Sequence, residues 1–213
     1  GNCWLGMLVQ GQSSYPTTCH FDSCVFTDSA TNGILLANGQ GIKFTNCDFE
    51  SSQLEGVKLA PSTGAYLGSI QFDSCWFEQN YVSAPSGSNY HFLAQSGASA
   101  QAIVSLRDCF FNSSTTYPLA ARFTGANVFF VLDNPRMNAV PANSFGCTSG
   151  AYGIITNWLE TPNMTYATAV NDPDNRIVTA SAPQWRSWTP TFQDAASATP
   201  TVTITTARFT NAA

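Results

Sequence analysis

One hexad recurs four times without gaps: Phe21-Asp22-Ser23-Cys24-Val25-Phe26, Phe44-Thr45-Asn46-Cys47-Asp48-Phe49, Phe72-Asp73-Ser74-Cys75-Trp76-Phe77 and Leu106-Arg107-Asp108-Cys109-Phe110-Phe111. Its cysteines are spaced by 23, 28 and 34 residues, so the period drifts while the motif stays fixed. Such drift is expected of a stack of coils whose strands are constrained by their neighbours and whose loops are free to lengthen. Asn2-Cys3-Trp4-Leu5 matches the second half of the hexad at the upstream end. Leu132-Asp133-Asn134-Pro135-Arg136-Met137 matches it downstream, with Pro135 in the cysteine place and Met137 in the phenylalanine place, giving about six coils.

An apolar residue at position one, Cys at four and Phe at six cannot all face one side of a single strand of period two. The simplest solution is a strand ending inward at position one, a sharp corner at the polar position three, and a second strand with Cys and Phe inward and position five outward. Asn, Asp and Ser suit that corner because they tolerate left-handed backbone or hydrogen-bond locally. A further apolar strand follows in each coil: Gly33-Ile34-Leu35-Leu36, Gly56-Val57-Lys58-Leu59, Tyr90-His91-Phe92-Leu93 and Leu119-Ala120-Ala121-Arg122-Phe123. Three short strands per coil make an all-β, single-stranded parallel β-helix over residues 1–137. Residues 138–182 break the repeat and read as an irregular cap or connector, and 183–213 as the start of a short β-rich element. Sparse Lys, Glu and Leu beside abundant Phe, Thr, Val, Ser and Asn agree with strands and turns.

These residues resemble a known family. Gly41-Ile42-Lys43-Phe44-Thr45-Asn46-Cys47-Asp48-Phe49 followed by Gly56-Val57-Lys58-Leu59 is similar to the right-handed parallel β-helix of pectate-lyase-like proteins and bacteriophage tailspikes. Trp185-Arg186-Ser187-Trp188-Thr189-Pro190-Thr191-Phe192 and Thr201-Val202-Thr203-Ile204-Thr205-Thr206-Ala207-Arg208-Phe209-Thr210 resemble the opening of a small β-rich module that follows the helix in phage tail proteins. The resemblance implies a C-terminal tailspike fragment that assembles in the bacterial cytoplasm as a homotrimer and joins the rest of the phage tail in the virion. It would recognise, and as a depolymerase cleave, a bacterial surface polysaccharide such as capsule or O-antigen. The alternatives are a non-enzymatic structural or adhesive trimeric stalk and a secreted polysaccharide lyase. A lyase needs a base beside carboxylates that hold a cation, and Lys43, Lys58 and Arg107 are scattered singly, so glycoside hydrolysis is the preferred chemistry.

A formal net charge of −5 with no Lys/Arg cluster argues against nucleic-acid binding, since phosphate neutralisation needs clustered cations. No apolar run approaches the ~20 residues of a membrane-spanning helix, so no membrane insertion is expected. His20 and His91 stand alone and no C-x-x-C occurs, so neither a metal nor a cofactor is expected. Five of the seven cysteines fall in one inward column, where parallel Cβ vectors suit free thiols better than disulfides.

Candidate chemistry lies after the inward Phe. Asp28, Glu50 and Glu78 fall at that place, with Glu50 and Glu78 on adjacent rungs, Asp48 on the same outward face and Asp73 on the neighbouring strand. These four residues, Asp48, Glu50, Asp73 and Glu78, are the candidate catalytic carboxylates, because glycoside hydrolysis needs two carboxyls roughly 5 to 9.5 Å apart. The same positions also read as solvated turn residues. Trp4, Trp76 and Phe110 share the outward position five, and Trp76, Phe110, Tyr81 and Tyr90 are the candidate carbohydrate-binding aromatics. Subunit packing is the competing reading of outward aromatics. The longer loops from Gln79 to Asn89 and from Asn112 to Tyr117 are where a binding groove would be built.

Overall fold

The computed structural model describes residues 7–9, 16–81, 89–97, 99–112, 119–138, 143–157, 170–173, 176–180, 191–192 and 202–203. Five complete coils carry three strands each. They are β1 (Met7–Val9), β2 (Thr17–Asp22) and β3 (Val25–Thr27), then β4 (Ile34–Leu36), β5 (Gly39–Thr45) and β6 (Asp48–Glu50), then β7 (Val57–Leu59), β8 (Tyr66–Asp73) and β9 (Trp76–Glu78). The fourth holds β10 (Tyr90–Gln95), β11 (Gln101–Arg107) and β12 (Phe110–Asn112), and the fifth β13 (Leu119–Thr124), β14 (Val128–Asp133) and β15 (Arg136–Met137). Every strand pairs in parallel with its counterpart one coil away, which generates three sheets. Sheet 1 runs upward from β1, sheet 2 from β2 and sheet 3 from β3. The expected all-β parallel β-helix is the fold observed.

Stacking continues beyond Met137. Strands β16 (Phe145–Thr148) and β18 (Val170–Asn171) extend sheet 1, and β17 (Tyr152–Thr156) and β19 (Ile177–Ala180) extend sheet 2. Where the sequence reads as an irregular connector over 138–182, the described residues therefore add two more rungs. The hexad was lost to view because its Cys and Phe are gone: Leu132 pairs with Ile155, so Ile155-Thr156-Asn157 repeats only the first half. Strands β20 (Thr191–Phe192) and β21 (Val202–Thr203) pair antiparallel and stand outside the three sheets.

The corner follows directly from the polar third position. Ser23, Asn46, Ser74, Asp108, Asn134 and Asn157 all adopt left-handed backbone, with φ between 49° and 54°. Each of the first five turns its amide onto a carbonyl one rung ahead, at Thr45, Asp73, Arg107, Asp133 and Thr156 respectively, at 2.8–3.0 Å. The next amide bond comes from position five, to the cysteine carbonyl of the preceding rung: Asp48 to Cys24, Trp76 to Cys47, Phe110 to Cys75 and Arg136 to Cys109, all 2.9 Å. The corner uses the amides of positions three and five and the carbonyl of position four. Proline lacks only an amide hydrogen, so Pro135 fits at position four and is buried there.

The side chains form vertical files. Phe21, Phe44 and Phe72 stack at 4.9 Å between centroids inside sheet 2. Phe26, Phe49, Phe77 and Phe111 stack at 4.9–5.2 Å inside sheet 3. The two files meet edge to face, as in Phe44 against Phe49 at 5.8 Å and 74°, an arrangement that adds to their burial. Cys47, Cys75 and Cys109 are at most 1% exposed and all are free thiols. Each thiol points at two carbonyls, as Cys47 does at Thr45 (3.3 Å) and Phe21 (3.6 Å), so a small weak donor fills the space behind the corner. Burial pushes the Cys47 thiol up to about 11 and raises Cys109 as well, so neither is a nucleophile at neutral pH.

A second corner carries the coil from sheet 3 back to sheet 1. Asp28, Ser51 and Gln79 are left-handed there (φ 56°, 54° and 47°). Buried polar groups line the turn behind it: Asn80 donates to the Phe49 carbonyl (2.9 Å) and to His91 Nδ1 (3.1 Å). Gly56 has no room for a side chain, since a Cβ would lie 2.6 Å from Asn80 Nδ2. His91 is fully buried, its Nε2 has no hydrogen-bond partner among the described residues, and burial drives its pKa down to about 3.

Two outcomes follow for stability. Asn46→Gly should be tolerated, whereas Asn46→Val, which forces a β-branched residue into left-handed backbone, should lower unfolding stability by roughly 1–3 kcal/mol in urea titrations. For His91 the folded pKa lies below the unfolded value, so neutral histidine stabilises the fold above pH ~6.5, and the contribution is lost as pH falls from there toward 3. At pH 5 a free histidine is about 97% protonated, yet the ring NMR resonances of His91 should remain those of the neutral form. An imidazolium signal at that pH would contradict the burial described.

Candidate functional site on the outer face of sheet 3

Because positions four and six point inward, position five of each hexad and the residue that follows the hexad project from sheet 3. Register sets them in two columns. The first contains Val25, Asp48, Trp76, Phe110 and Arg136, and the second Thr27, Glu50, Glu78 and Asn112. The structure thus brings together five of the candidate residues, Asp48, Glu50, Trp76, Glu78 and Phe110, on three successive rungs. Glu50 and Glu78 are direct partners across adjacent strands. Backbone spacing is about 4.8 Å directly across and roughly 7–8 Å on the diagonal from Asp48 to Glu78.

Trp76 is the anchor of this face. Its ring stacks on Phe110 with centroids 4.1 Å apart and planes 21° from parallel, so each ring covers one face of the other. Trp76 Nε1 donates to Glu78 Oε2 (2.8 Å), and Asn112 Nδ2 donates to Glu78 Oε1 (2.7 Å). Asn138 Nδ2 in turn donates to Asn112 Oδ1. Both oxygens of Glu78 are therefore held as acceptors, which positions a carboxylate beside an indole that is 37% exposed. Among the described residues, the side chains of Asp48 and Glu50 make no hydrogen bond or ion pair. Together the groups offer an aromatic surface, two uncommitted carboxylates, one oriented carboxylate and amides, which is the inventory for gripping a polyhydroxylated ligand.

Three other candidates lie elsewhere. Asp73 is on sheet 2, across the first corner, where Lys43 Nζ approaches its Oδ2 at 2.6 Å. Tyr81 lies in the turn after sheet 3, and its hydroxyl donates to Glu55 Oε1 (3.1 Å); burial, then the Glu55 charge, raises its pKa. Tyr90 belongs to β10 in sheet 1, is 7% exposed and packs under Arg122, whose guanidinium carbon is 5.8 Å from the ring centroid. Asp28 also departs from the expected row, because Thr27 is the residue that pairs with Glu50, and Asp28 forms the second corner instead. Trp4, and the loop residues 82–88 and 113–118, fall outside the described residues.

Asn138 was not singled out from the sequence, and Asn112 was named only as the start of a loop, although it follows Phe111 as Glu50 and Glu78 follow their phenylalanines. A second surface was also missed. Ile103, Phe129, Val131, Tyr152 and Ile154 project from sheet 2, each 36–45% exposed. Val128-Phe129-Phe130-Val131-Leu132 is apolar at both alternating sets of positions, the pattern of a strand covered on both sides.

Comparison with known proteins agrees with the geometry. The pattern of the family described as the right handed beta helix region matches residues 1–134. The chain belongs to the right-handed β-helix family. Neither a curated protein nor a solved structure matches it. A β-helix of this family is compatible with binding or degrading polysaccharide.

Proposed function

We propose that this β-helix is the receptor-binding part of a bacteriophage tailspike, which holds a bacterial surface polysaccharide, capsule or O-antigen, against the outer face of sheet 3. The observation that carries the reading is the exposed Trp76, backed by Phe110 and flanked by Glu78, Glu50 and Asp48 on adjacent rungs. Sugars lay apolar C–H faces on aromatic rings while carboxylates and amides take their hydroxyls. A glycan running along the solenoid would meet the same chemistry at successive rungs. Assembly as a homotrimer, attachment to the rest of the phage tail and a place in the virion after assembly in the bacterial cytoplasm complete the proposal.

Cleavage by this face would be hydrolysis, with Glu50 and Asp48 as the uncommitted carboxylates and Glu78 as the oriented one. Lyase chemistry fits less well, because Lys43 and Arg107 are engaged with Asp73 (2.6 Å) and Asp133 (3.3 Å). A non-enzymatic stalk is the second reading. It is favoured by the Trp76–Phe110 stack, which spends one face of each ring on the neighbouring rung.

Purified capsule or O-antigen from candidate hosts, titrated against the full chain by calorimetry and followed by reducing-end release and by the unsaturated sugar end that only a lyase leaves, separates these readings. Trp76→Ala should weaken binding about tenfold or more, the loss of one aromatic contact worth roughly 1.4 kcal/mol. Glu50→Gln should reduce cleavage about 100-fold with little change in binding. Binding indifferent to Trp76→Ala would remove the proposed face, and binding without any release of reducing ends would leave an adhesin.

A further inference from the structure

Trp76 has one free face. Phe110 stands on the rung above, and with centroids 4.1 Å apart and planes 21° from parallel it covers the upper face of the indole. Carbon atoms in contact are about 3.5 Å apart, so the rings overlap with little offset and lie nearly level with their rungs. The lower face therefore looks down the first column, toward Asp48 and then Val25. Both of those side chains are shorter than the indole, which overhangs them. Glu50 flanks the overhang on the same strand as Asp48, and Glu78 is held at the indole edge by Trp76 Nε1 at 2.8 Å.

Charge at this overhang is of one sign. Among the described residues, Lys43, Arg107 and Arg136 are paired with Asp73, Asp133 and Asp108. Arg136 shares the column but stands two rungs above Trp76, beyond Phe110. Lys58 and Arg122 belong to sheet 1, and Arg176 lies over the Tyr152 ring on sheet 2. No described cation therefore stands beside Asp48 and Glu50.

We propose that the lower face of Trp76 is a subsite for an uncharged sugar residue, and that Asp48 and Glu50 reject sugars bearing a carboxylate or phosphate. The inference deepens the glycan-binding reading of sheet 3 and rests on it. The indole takes an apolar C–H face, while the two carboxylates accept hydrogen bonds from hydroxyls at the rim of the sugar. A sugar lying flat there is turned across the solenoid axis, so it is an end or branch residue of a chain that runs along the columns. A uronate about 5 Å from each of Asp48 and Glu50 would be disfavoured roughly fourfold by each in water, about fifteenfold together before screening. Unpaired like charge refuses the wrong ligand without requiring any further contact to the right one. The face selects neutral polysaccharide over acidic capsule.

Calorimetric titration of the full chain with two probes tests it: neutral O-antigen from candidate hosts, and the same polysaccharide with its primary hydroxyls oxidised to carboxylates. The neutral form should bind about tenfold more tightly at about 20 mM salt. At about 0.5 M salt, where screening acts within a few ångströms, the gap should shrink to about threefold or less. It should shrink likewise at low salt in the double variant Asp48→Asn with Glu50→Gln, which should melt like the parent. Oxidation also removes a hydroxyl, so a gap indifferent to both salt and the double variant would overturn the inference. Equal affinity of the wild type for both forms, with Trp76→Ala weakening each, would overturn it too and leave glycan binding at Trp76 standing. Absence of binding by either form, or binding indifferent to Trp76→Ala, would overturn the glycan-binding reading and this inference with it.

Discussion

A single coil of this chain has almost nothing to bury itself against. Its inward Phe, Cys and aliphatic side chains leave water only when another coil lies directly above with every rung in register, and that requirement organises the rest. The left-handed corner at Ser23, Asn46, Ser74, Asp108, Asn134 and Asn157 serves it. By turning sharply at the same place in each coil, it aims one amide at the next rung and brings Phe44 over Phe21 and Phe49 over Phe26. Each buried phenylalanine contributes roughly 1.5–3 kcal/mol of transfer free energy, so the files outweigh the backbone cost of a non-glycine residue at positive φ.

The surfaces follow from the same register. Stacking that fixes the inward files also fixes the outward ones, so residues 28 apart in the chain, such as Glu50 and Glu78, become direct neighbours. Function can then be written as columns. Sheet 3 carries carboxylates beside Trp76 and Phe110, and sheet 2 carries the apolar rungs above β8. The two surfaces lie on different sheets of the solenoid.

What could be read from the sequence was whatever repeats. The hexad gave the strands, the corner and the thiol column, because each depends on one residue type at one offset. Tyr90 was placed rightly at the start of the strand Tyr90-His91-Phe92-Leu93, but as a ligand-facing aromatic it fails, because it is buried in sheet 1 beside Arg122. Asp28 was assigned to the carboxylate row because residues just after the hexad lack a marker, although its corner partners Ser51 and Gln79 share nothing with it but backbone shape. The rungs beyond Met137 were hidden because their hexad keeps only Ile155-Thr156-Asn157. Sheet 2's apolar face was present in Val128-Phe129-Phe130-Val131-Leu132; once a core is sought, though, an apolar run is credited to the inside on both of its alternating sets.

Energetic coupling between neighbouring rungs is the most direct measure of the stacking. In a double-mutant cycle by urea unfolding, Phe44→Leu and Phe72→Leu, whose rings lie 4.9 Å apart, should couple by about 0.5–1.5 kcal/mol. Phe21→Leu with Phe72→Leu, one rung removed from contact, should add to within about 0.3–0.5 kcal/mol. Simple additivity for the adjacent pair, or equal coupling for both pairs, would contradict a core built from in-register aromatic files.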